Sequence, residues 1–181
     1  MSRAFVVVLL GAESTGKTTL AAAIGTALAG RGIEVAVVAE ALREFCTEHG
    51  RTPRRDEQTA IAAEQGRRIE AAAARARVVV ADTSALMIAV YSDLVFDDPG
   101  LYPPAEAAQR RYDLTLVTAL DLPWQADGLQ RDGAHVREPV DARLRAALAR
   151  AGVAFGTISG HGPARLGAAL AAIDGGLAAR R

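Results

Sequence analysis

The sequence predicts an α/β fold in three layers, with a five-stranded parallel sheet covered by helices on both faces. Five short apolar runs, rich in valine, leucine and isoleucine, recur along the 181 residues. Their residues are apolar throughout and do not alternate with polar ones, which is typical of strands buried on both faces. Stretches with helical periodicity separate these runs. Such strand–helix alternation produces right-handed βαβ units and therefore a parallel sheet.

The strand candidates, in chain order, are 4–10, 33–39, 77–82, 114–119 and 153–158. The helix candidates between and after them are 17–30, 40–49, 54–76, 83–93, 104–111, 139–151 and 164–178. Glycines at Gly30 and Gly32 end the first helix and turn the chain into the second strand. Thr52 and Pro53 form a cap and first-turn pair for the third helix. The boundaries therefore agree with the periodicity.

Composition places the chain among ordinary globular proteins, and its length favours a single domain over residues 1–181. Basic and acidic residues number 21 each, so no net charge attracts nucleic acid or acidic lipid. No apolar run reaches the ~18–20 residues of a membrane helix, and Glu13 and Lys17 follow the first apolar run too closely for a signal peptide. The single cysteine, Cys46, fits a reducing compartment. We expect a cytoplasmic protein without nucleic-acid or membrane partners, and nothing in the sequence marks its oligomeric state.

A stretch rich in glycine and hydroxyl groups follows the first strand. It reads GAESTGKT over 11–18 and fits G-x-x-x-x-G-K-[ST], with a strand before it and a helical pattern after it. Glycines let the backbone curl so that successive N–H groups face an anion, and the helix dipole adds to this attraction. Lys17 would reach the β- and γ-phosphates, and the Thr18 hydroxyl would ligate Mg²⁺. The predicted triphosphate-binding residues are Gly11, Ala12, Glu13, Ser14, Thr15, Gly16, Lys17, Thr18 and Thr19.

The third strand delivers one carboxylate, Asp82, at its end. An apolar strand ending in aspartate resembles a Walker B position, where the carboxylate holds Mg²⁺ directly or through water. The alternative is a helix N-cap, because Asp82 and Thr83 also precede a helix. The two roles can coexist, and the nearby phosphate-binding loop favours the metal role.

The second strand ends in a similar way, with Glu40 and Arg43. In a parallel sheet this end opens onto the same crevice as the phosphate-binding loop. Glu40 would accept the proton of an attacking hydroxyl, and Arg43 would hold a phosphate or substrate oxygen. The alternative is a solvated first turn whose carboxylates, Glu40 and Glu44, offset the helix dipole. We predict a functional role for Glu40 and none for Glu44, and the general base is either Glu40 or Asp82.

The irregular segment 121–137 follows the fourth strand and is predicted to be a lid. Glycine-flexed loops that carry arginines close over a transferred phosphoryl group and stabilise its charge. Its candidate residues are Asp127, Arg131 and Arg137. Trp124, the only tryptophan, would stack on a substrate ring or anchor the loop. A charged surface loop is the alternative interpretation of this composition.

These features together outline a small-molecule kinase that uses ATP and Mg²⁺. The sequence has no N-K-x-D signature for guanine and lacks the length of a ring-forming ATPase. Two alternatives stay open: a kinase for another nucleoside or nucleotide, and a protein that uses ATP binding as a switch without transferring phosphate. Glu40 with Arg43 favours the kinases, since a switch needs no base for a substrate hydroxyl.

Several stretches, taken in order, resemble the ribosylnicotinamide kinase domain of the NadR-type NAD-salvage proteins. They are GAESTGKTTL, EALREF, Gln65, VVVADT, YDLTLVTALDLPWQADGLQ and TISG. The resemblance spans most of the chain and implies a P-loop kinase fold with strand order 2-3-1-4-5. It further implies phosphorylation of nicotinamide riboside on its 5′-hydroxyl by ATP and Mg²⁺, which yields nicotinamide mononucleotide.

The resemblance also assigns roles by position. Asp82 would serve the metal or activate the nucleophile, while Glu40 and Arg43 would lie on the substrate side. Asp127 and the arginine after it would belong to the lid. The family pattern places that arginine directly after Gly-Leu, whereas this chain has Gln130 there and Arg131 one position later. The arginine role would then fall to Arg131 in a shifted register, or to Arg137.

Overall fold

A computed structural model of the chain describes residues 3–125 and 133–180. Five strands form one sheet in the order β2-β3-β1-β4-β5, and every neighbouring pair is parallel. The strands are β1 (Phe5–Leu10), β2 (Val35–Val38), β3 (Val78–Asp82), β4 (Leu114–Thr118) and β5 (Phe155–Ile158). All five lie within one or two residues of the predicted runs. The sheet confirms the predicted fold class and the strand order that the resemblance implies.

Helices cover both faces of this sheet. The helices of the described residues are α1 (Lys17–Gly30), α2 (Ala41–His49), α3 (Gln58–Ala73), α4 (Ala85–Phe96), α5 (Tyr102–Gln109), α6 (Arg137–Ala151) and α7 (Gly162–Ala179). Helices α1 and α7 pack on one face, and α3 to α6 pack on the other. Helix α2 lies outside α3 and shares a small apolar cluster with it and α4. The three predicted layers are therefore present.

The central strand shows why its sequence is apolar throughout. Val6, Val8 and Leu10 enter the core beneath α3 to α6, whereas the alternate residues, such as Val7 and Leu9, enter the core beneath α1 and α7. Each of these side chains is at most 4 % exposed. Full burial of such a side chain contributes roughly 1.5–3 kcal/mol, so both faces of β1 favour folding and neither tolerates a polar residue.

The register of the sheet gathers the polar strand ends at one edge. Strand β1 pairs with β3 so that Leu9 lies beside Asp82, and with β4 so that Leu10 lies beside Val117. The loop that follows β1 is therefore flanked by the last residues of β3 and β4. This is the edge at which α/β sheets bind their ligands.

The structure differs from the predicted boundaries at several helix ends. A 3₁₀ turn, Arg55–Glu57, precedes α3, and α4 continues to Phe96. Helix α5 starts at Tyr102, earlier than predicted, because its two prolines stand in the first turn, where a backbone N–H has no helical partner to lose. At the end of the predicted lid, a 3₁₀ turn forms at Ala134–Val136 and α6 begins at Arg137.

Among the helices within 3–125 and 133–180, none is both long enough and apolar enough to cross a membrane.

Candidate active site

The loop between β1 and α1 has the backbone conformation that its glycines allow. Gly11 has φ of +147° and Gly16, the N-cap of α1, has φ of +73°. A Cβ at Gly11 would lie 2.2 Å from the Thr118 hydroxyl oxygen, so the end of β4 leaves no room for a side chain there. Ser14 also has a positive φ, of +55°. The curled backbone predicted from the motif is therefore present next to the N-terminus of α1.

Side chains from distant parts of the chain brace this loop from behind. Thr15 Oγ1 donates to Ala12 O at 2.7 Å and lies 2.7 Å from Thr118 Oγ1. The Arg165 guanidinium, on α7, donates to Thr15 O at 2.7 Å and to Asp121 Oδ1 at 3.0 Å. Arg165 is only 5 % exposed. The curled loop is thus braced by contacts from β4 and α7.

Lys17 lies over the loop that it follows. Its ammonium group donates to Ala12 O at 2.8 Å. A bound phosphate would offer a charged oxygen in place of this carbonyl, and hydrogen bonds between charged groups are about twice as strong as neutral ones. The lysine is therefore placed where it can exchange an internal contact for a phosphate.

Asp82 contacts the first turn of α1. Thr18 Oγ1 donates to Asp82 Oδ2 at 2.5 Å, and Asp82 is 2 % exposed. Its other oxygen, Oδ1, is buried and has no hydrogen-bond partner among the described residues. The N-cap of α4 is Ser84, whose hydroxyl accepts from Leu86 N at 3.2 Å. Ser84, and not Asp82, therefore caps α4. The Asp82 carboxylate keeps one oxygen for a ligand.

Thr18 and Asp82 together suit Mg²⁺. This ion prefers oxygen ligands and is bound in phosphoryl-transfer sites by one or two protein groups, substrate phosphates and water. A hydroxyl and a carboxylate with an unpaired buried oxygen match that requirement next to the phosphate-binding loop. The residues present therefore fit the ion that the motif predicts.

Glu40 lies at the other side of the same crevice. Its side chain is 12 % exposed, and its Oε2 lies 3.6 Å from Arg43 Nε. Burial raises the pKa of the Glu40 carboxyl above its usual range, Lys17 and Arg43 oppose this rise, and the charge of Asp82 adds to it. A carboxylate of raised basicity is a better proton acceptor once it is ionised.

One cavity of about 710 Å³ is lined by the phosphate-binding loop together with Glu40 and Arg43. Apolar side chains of Leu42, Met87 and Tyr91 also line it. Further lining comes from residues within 122–125 and 161–166. The volume is within the range of about 300–1,000 Å³ that is common for small-molecule sites. Acidic groups, cations and apolar surface thus share one cleft at the carboxyl edge of the sheet.

The remaining predicted residues are Trp124, Arg137, Asp127 and Arg131. Trp124 is half-buried, and its indole Nε1 donates to Glu13 Oε1 at 3.3 Å, so the described structure places it against the phosphate-binding loop. Arg137 is 8 % exposed at the first turn of α6 and is not among the described residues that line the cavity. Asp127 and Arg131 lie outside the described residues.

Several residues of the site were missed by sequence reasoning. Arg165 and Thr118 brace the loop from more than 100 positions away, and no local pattern marks them. Gln65 belongs to the resemblance but had no predicted role, although it is wholly buried between the ends of β2 and β3. Thr83 has φ of +85°, which is rare for a β-branched residue, and it lines the cavity.

Comparisons with known proteins agree with this architecture. A family model described as an AAA domain matches residues 6–165. A crystal structure of NadR protein in complex with NR has a TM-score of 0.78 and 22 % identity, covering 95 % of this chain and 50 % of its own. A second, of NadR protein in complex with NAD and AMP-PNP, has a TM-score of 0.74 and 22 % identity, covering 95 % and 49 %.

The chain spans about half the length of these NadR structures. No curated protein matches the sequence. At this level of identity the structural likeness shows the fold, and together with the family match it confirms the resemblance to the NadR-type domain that the motifs predict.

Proposed function

Because the chain belongs to the AAA domain family, we propose that it is an ATP- and Mg²⁺-dependent kinase of a small hydroxylated metabolite, most specifically of nicotinamide riboside. The observation that carries this proposal is the cleft itself. It combines a phosphate-binding loop, Thr18 and the largely buried carboxylate of Glu40 in one cavity, and Thr18 contacts Asp82 behind the cavity lining. A protein that only binds nucleotide needs no such carboxylate opposite the loop.

The nucleotide half of the cleft would hold the triphosphate. Backbone N–H groups of the loop and the N-terminus of α1 attract the phosphate oxygens. Lys17 would exchange its contact with Ala12 O for the β- and γ-phosphates. Thr18 and Asp82 would hold Mg²⁺, which supplies neutralisation of the charge that develops on the γ-phosphoryl group. Arg165 and Thr118 contribute indirectly, because they keep the loop curled before the nucleotide arrives.

The acceptor half would orient and activate the hydroxyl. The 5′-oxygen attacks the γ-phosphorus in line, a new O–P bond forms, and the bond to the β,γ-bridging oxygen breaks with release of ADP. The hydroxyl proton passes to a carboxylate, which we assign to Glu40, since Asp82 is already assigned to Mg²⁺ together with Thr18. Arg43, beside Glu40, would hold a ribose or phosphate oxygen.

The nature of the acceptor rests on two kinds of support. Leu42, Met87 and Tyr91 line the acceptor side of the cavity and offer apolar surface to a planar base. The NadR structures that share the fold were determined with NR and with NAD and AMP-PNP, the last of which is an ATP analogue. These ligands motivate nicotinamide riboside as the acceptor and ATP as the donor. Other nucleosides remain competing acceptors in the test below.

The proposal also includes the organisation and location of the protein. We assign residues 1–181 to one kinase domain in which the segment of about 121–137 acts as a lid. Arg131 or Arg137 would supply its cation. The lone cysteine is buried, which suits a reducing cytoplasm.

Transfer of radiolabelled γ-phosphate from ATP to a panel of ribosides, with and without Mg²⁺, tests this function. Transfer to nicotinamide riboside supports it, and transfer only to other nucleosides would replace the acceptor. Binding of ATP without transfer to any acceptor would favour a nucleotide switch. Lys17→Ala should retain the wild-type circular dichroism spectrum and lose most of the transfer, and wild-type turnover in this variant would contradict the assignment.

A further inference from the structure

Helix α2 begins without a side-chain cap of its own. Its N-cap residue is Glu40, and the Glu40 side chain makes no capping hydrogen bond. The first N–H groups of a helix need partners from elsewhere. The N–H of Ala41 donates to Gln65 Oε1 at 2.8 Å, and Gln65 belongs to α3, 24 positions later. The cap of α2 is therefore supplied by another helix.

The same amide reaches the next strand. Gln65 Nε2 donates to Thr83 O over a longer distance of 3.5 Å. Ala41 directly follows Glu40, and Thr83 directly follows Asp82. Gln65 is 0 % exposed, so bulk solvent does not compete for either contact. One planar side chain thus joins the residues that follow the two carboxylates of the cleft.

We propose that Gln65 is a positioning residue that sets the separation of the Glu40 and Asp82 carboxylates. This inference rests on the proposed function, because those carboxylates are the proposed base and metal ligand. Since Gln65 caps the first N–H of α2, the Glu40 carboxylate makes no capping hydrogen bond and lines the cavity beside Arg43. If the Glu40 carboxylate capped α2 itself, it would be hydrogen-bonded to backbone N–H groups and could not accept a proton from a substrate hydroxyl.

The conformation of Thr83 adds a second reason for the contact. A β-branched residue at φ of +85° is strained, and such strain persists only where the surroundings hold it. Thr83 N donates to Leu9 O at 3.0 Å, and Gln65 holds the carbonyl of the same residue. Gln65 therefore contacts the peptide that follows Thr83 as well as the one that follows Glu40.

Gln65→Met tests the inference, because methionine keeps the length and apolar volume of the side chain and removes both hydrogen bonds. The matched control is Gln109→Met. Gln109 is also 0 % exposed, and its amide joins Ser84 Oγ at 2.7 Å to Thr115 Oγ1 at 2.9 Å, without contact to the residue after either carboxylate. Both variants lose two buried hydrogen bonds, so both should be less stable.

The two variants separate an effect on the positions of the Glu40 and Asp82 carboxylates from a general loss of protein stability. A displacement near 1 Å in a kinase site reduces turnover by about 10²-fold, so Gln65→Met should lower kcat by roughly 10–100-fold while changing the KM for ATP by less than about threefold. Gln109→Met should keep kcat within about threefold of the wild type when measured below its unfolding temperature. Gln65→Glu keeps an acceptor for Ala41 N and should have an intermediate kcat.

Three outcomes would overturn the inference: unchanged kcat in Gln65→Met, an equal loss in Gln109→Met, or a Gln65→Glu variant no better than Gln65→Met. If the wild-type protein transfers phosphate to no riboside, the proposed function has failed, and amide hydrogen exchange at Ala41 decides the positioning role. Faster exchange there in Gln65→Met, but not in Gln109→Met, supports it, whereas unchanged exchange refutes it.

Discussion

Gly11→Ala is expected to prevent ATP binding, because the phosphate-binding loop has no space for a side chain at this position. A Cβ there would lie 2.2 Å from Thr118 Oγ1 and 3.1 Å from Thr118 O, whereas ordinary contacts begin near 3.4 Å. The loop and the end of β4 would therefore have to separate by about 1.2 Å. The φ of +147° adds backbone strain of about 1–3 kcal/mol for any residue other than glycine.

The magnitude follows from this displacement. A shift of this size would break at least one hydrogen bond between a loop N–H and a charged phosphate oxygen, which contributes about 1.5–3 kcal/mol, so we expect the affinity for Mg²⁺·ATP to fall by ~100-fold, equivalent to about 2.7 kcal/mol. Strain and overpacking together should lower the free energy of unfolding by about 2–4 kcal/mol. Isothermal titration calorimetry measures the first quantity and urea denaturation the second.

Two variants control this experiment. Gly32→Ala introduces a side chain at a φ of +74° with no atom within 4 Å, so it adds strain without a clash and should bind ATP like the wild type. The double variant Gly11→Ala/Thr118→Ala removes the nearest atom and should recover part of the lost affinity. Wild-type affinity in Gly11→Ala, or an equal loss in Gly32→Ala, would refute the reasoning from close packing.

Three further predictions concern stability. Thr83→Gly relieves a strain of about 1–3 kcal/mol against a glycine penalty of about 0.5–1 kcal/mol, so urea denaturation should show equal or greater stability. A loss above about 1 kcal/mol would contradict this expectation. Arg165→Leu leaves Thr15 O and Asp121 without their buried donor and should lower the free energy of unfolding by about 2–3 kcal/mol. The control Arg31→Leu removes an exposed ion pair and should lower it by less than about 1 kcal/mol. Equal losses of stability in the two variants would argue against a bracing role for Arg165. Glu40→Gln should stabilise the ligand-free protein at neutral pH, because the pKa of the Glu40 carboxyl is raised in the folded state and the wild type therefore loses stability as pH rises through that raised value. The melting temperatures of variant and wild type should agree well below pH 4.5, the usual glutamate pKa, and should diverge increasingly above it. A gain in stability confined to low pH would contradict this expectation.

The fold was predictable because its signals are local. Strand β1 is apolar at all six positions because helices cover both faces of the sheet. This apolar run can be recognised directly in the sequence. The loop after it needs glycine at Gly11 and Gly16 for backbone reasons that any sequence must meet. Helix boundaries were less predictable at α5, where prolines in the first turn resemble a break before the helix.

The braces of the site could not be predicted in the same way. Arg165 and Gln65 act through single contacts to backbone groups that are distant in sequence, and neither lies in a recurring pattern. An arginine in an alanine-rich helix has the same appearance whether it faces solvent or a carbonyl oxygen. Only the packing of α7 and α3 against the sheet brings these side chains to the loop and to the strand ends.

Two of the four motif positions that the phosphate-binding pattern leaves undefined, Glu13 and Ser14, show the same limit. Glu13 accepts a hydrogen bond from Trp124, and Ser14 Oγ donates to Gln125 O at 2.8 Å, so both contact a segment 111 positions away. The general pattern requires only residues that curl the backbone or touch phosphate, and it accepts any side chain at these two sites. Their identity is therefore set by the segment that packs on the loop. In this chain the E-S pair of the motif and the segment that carries the tryptophan form one contact.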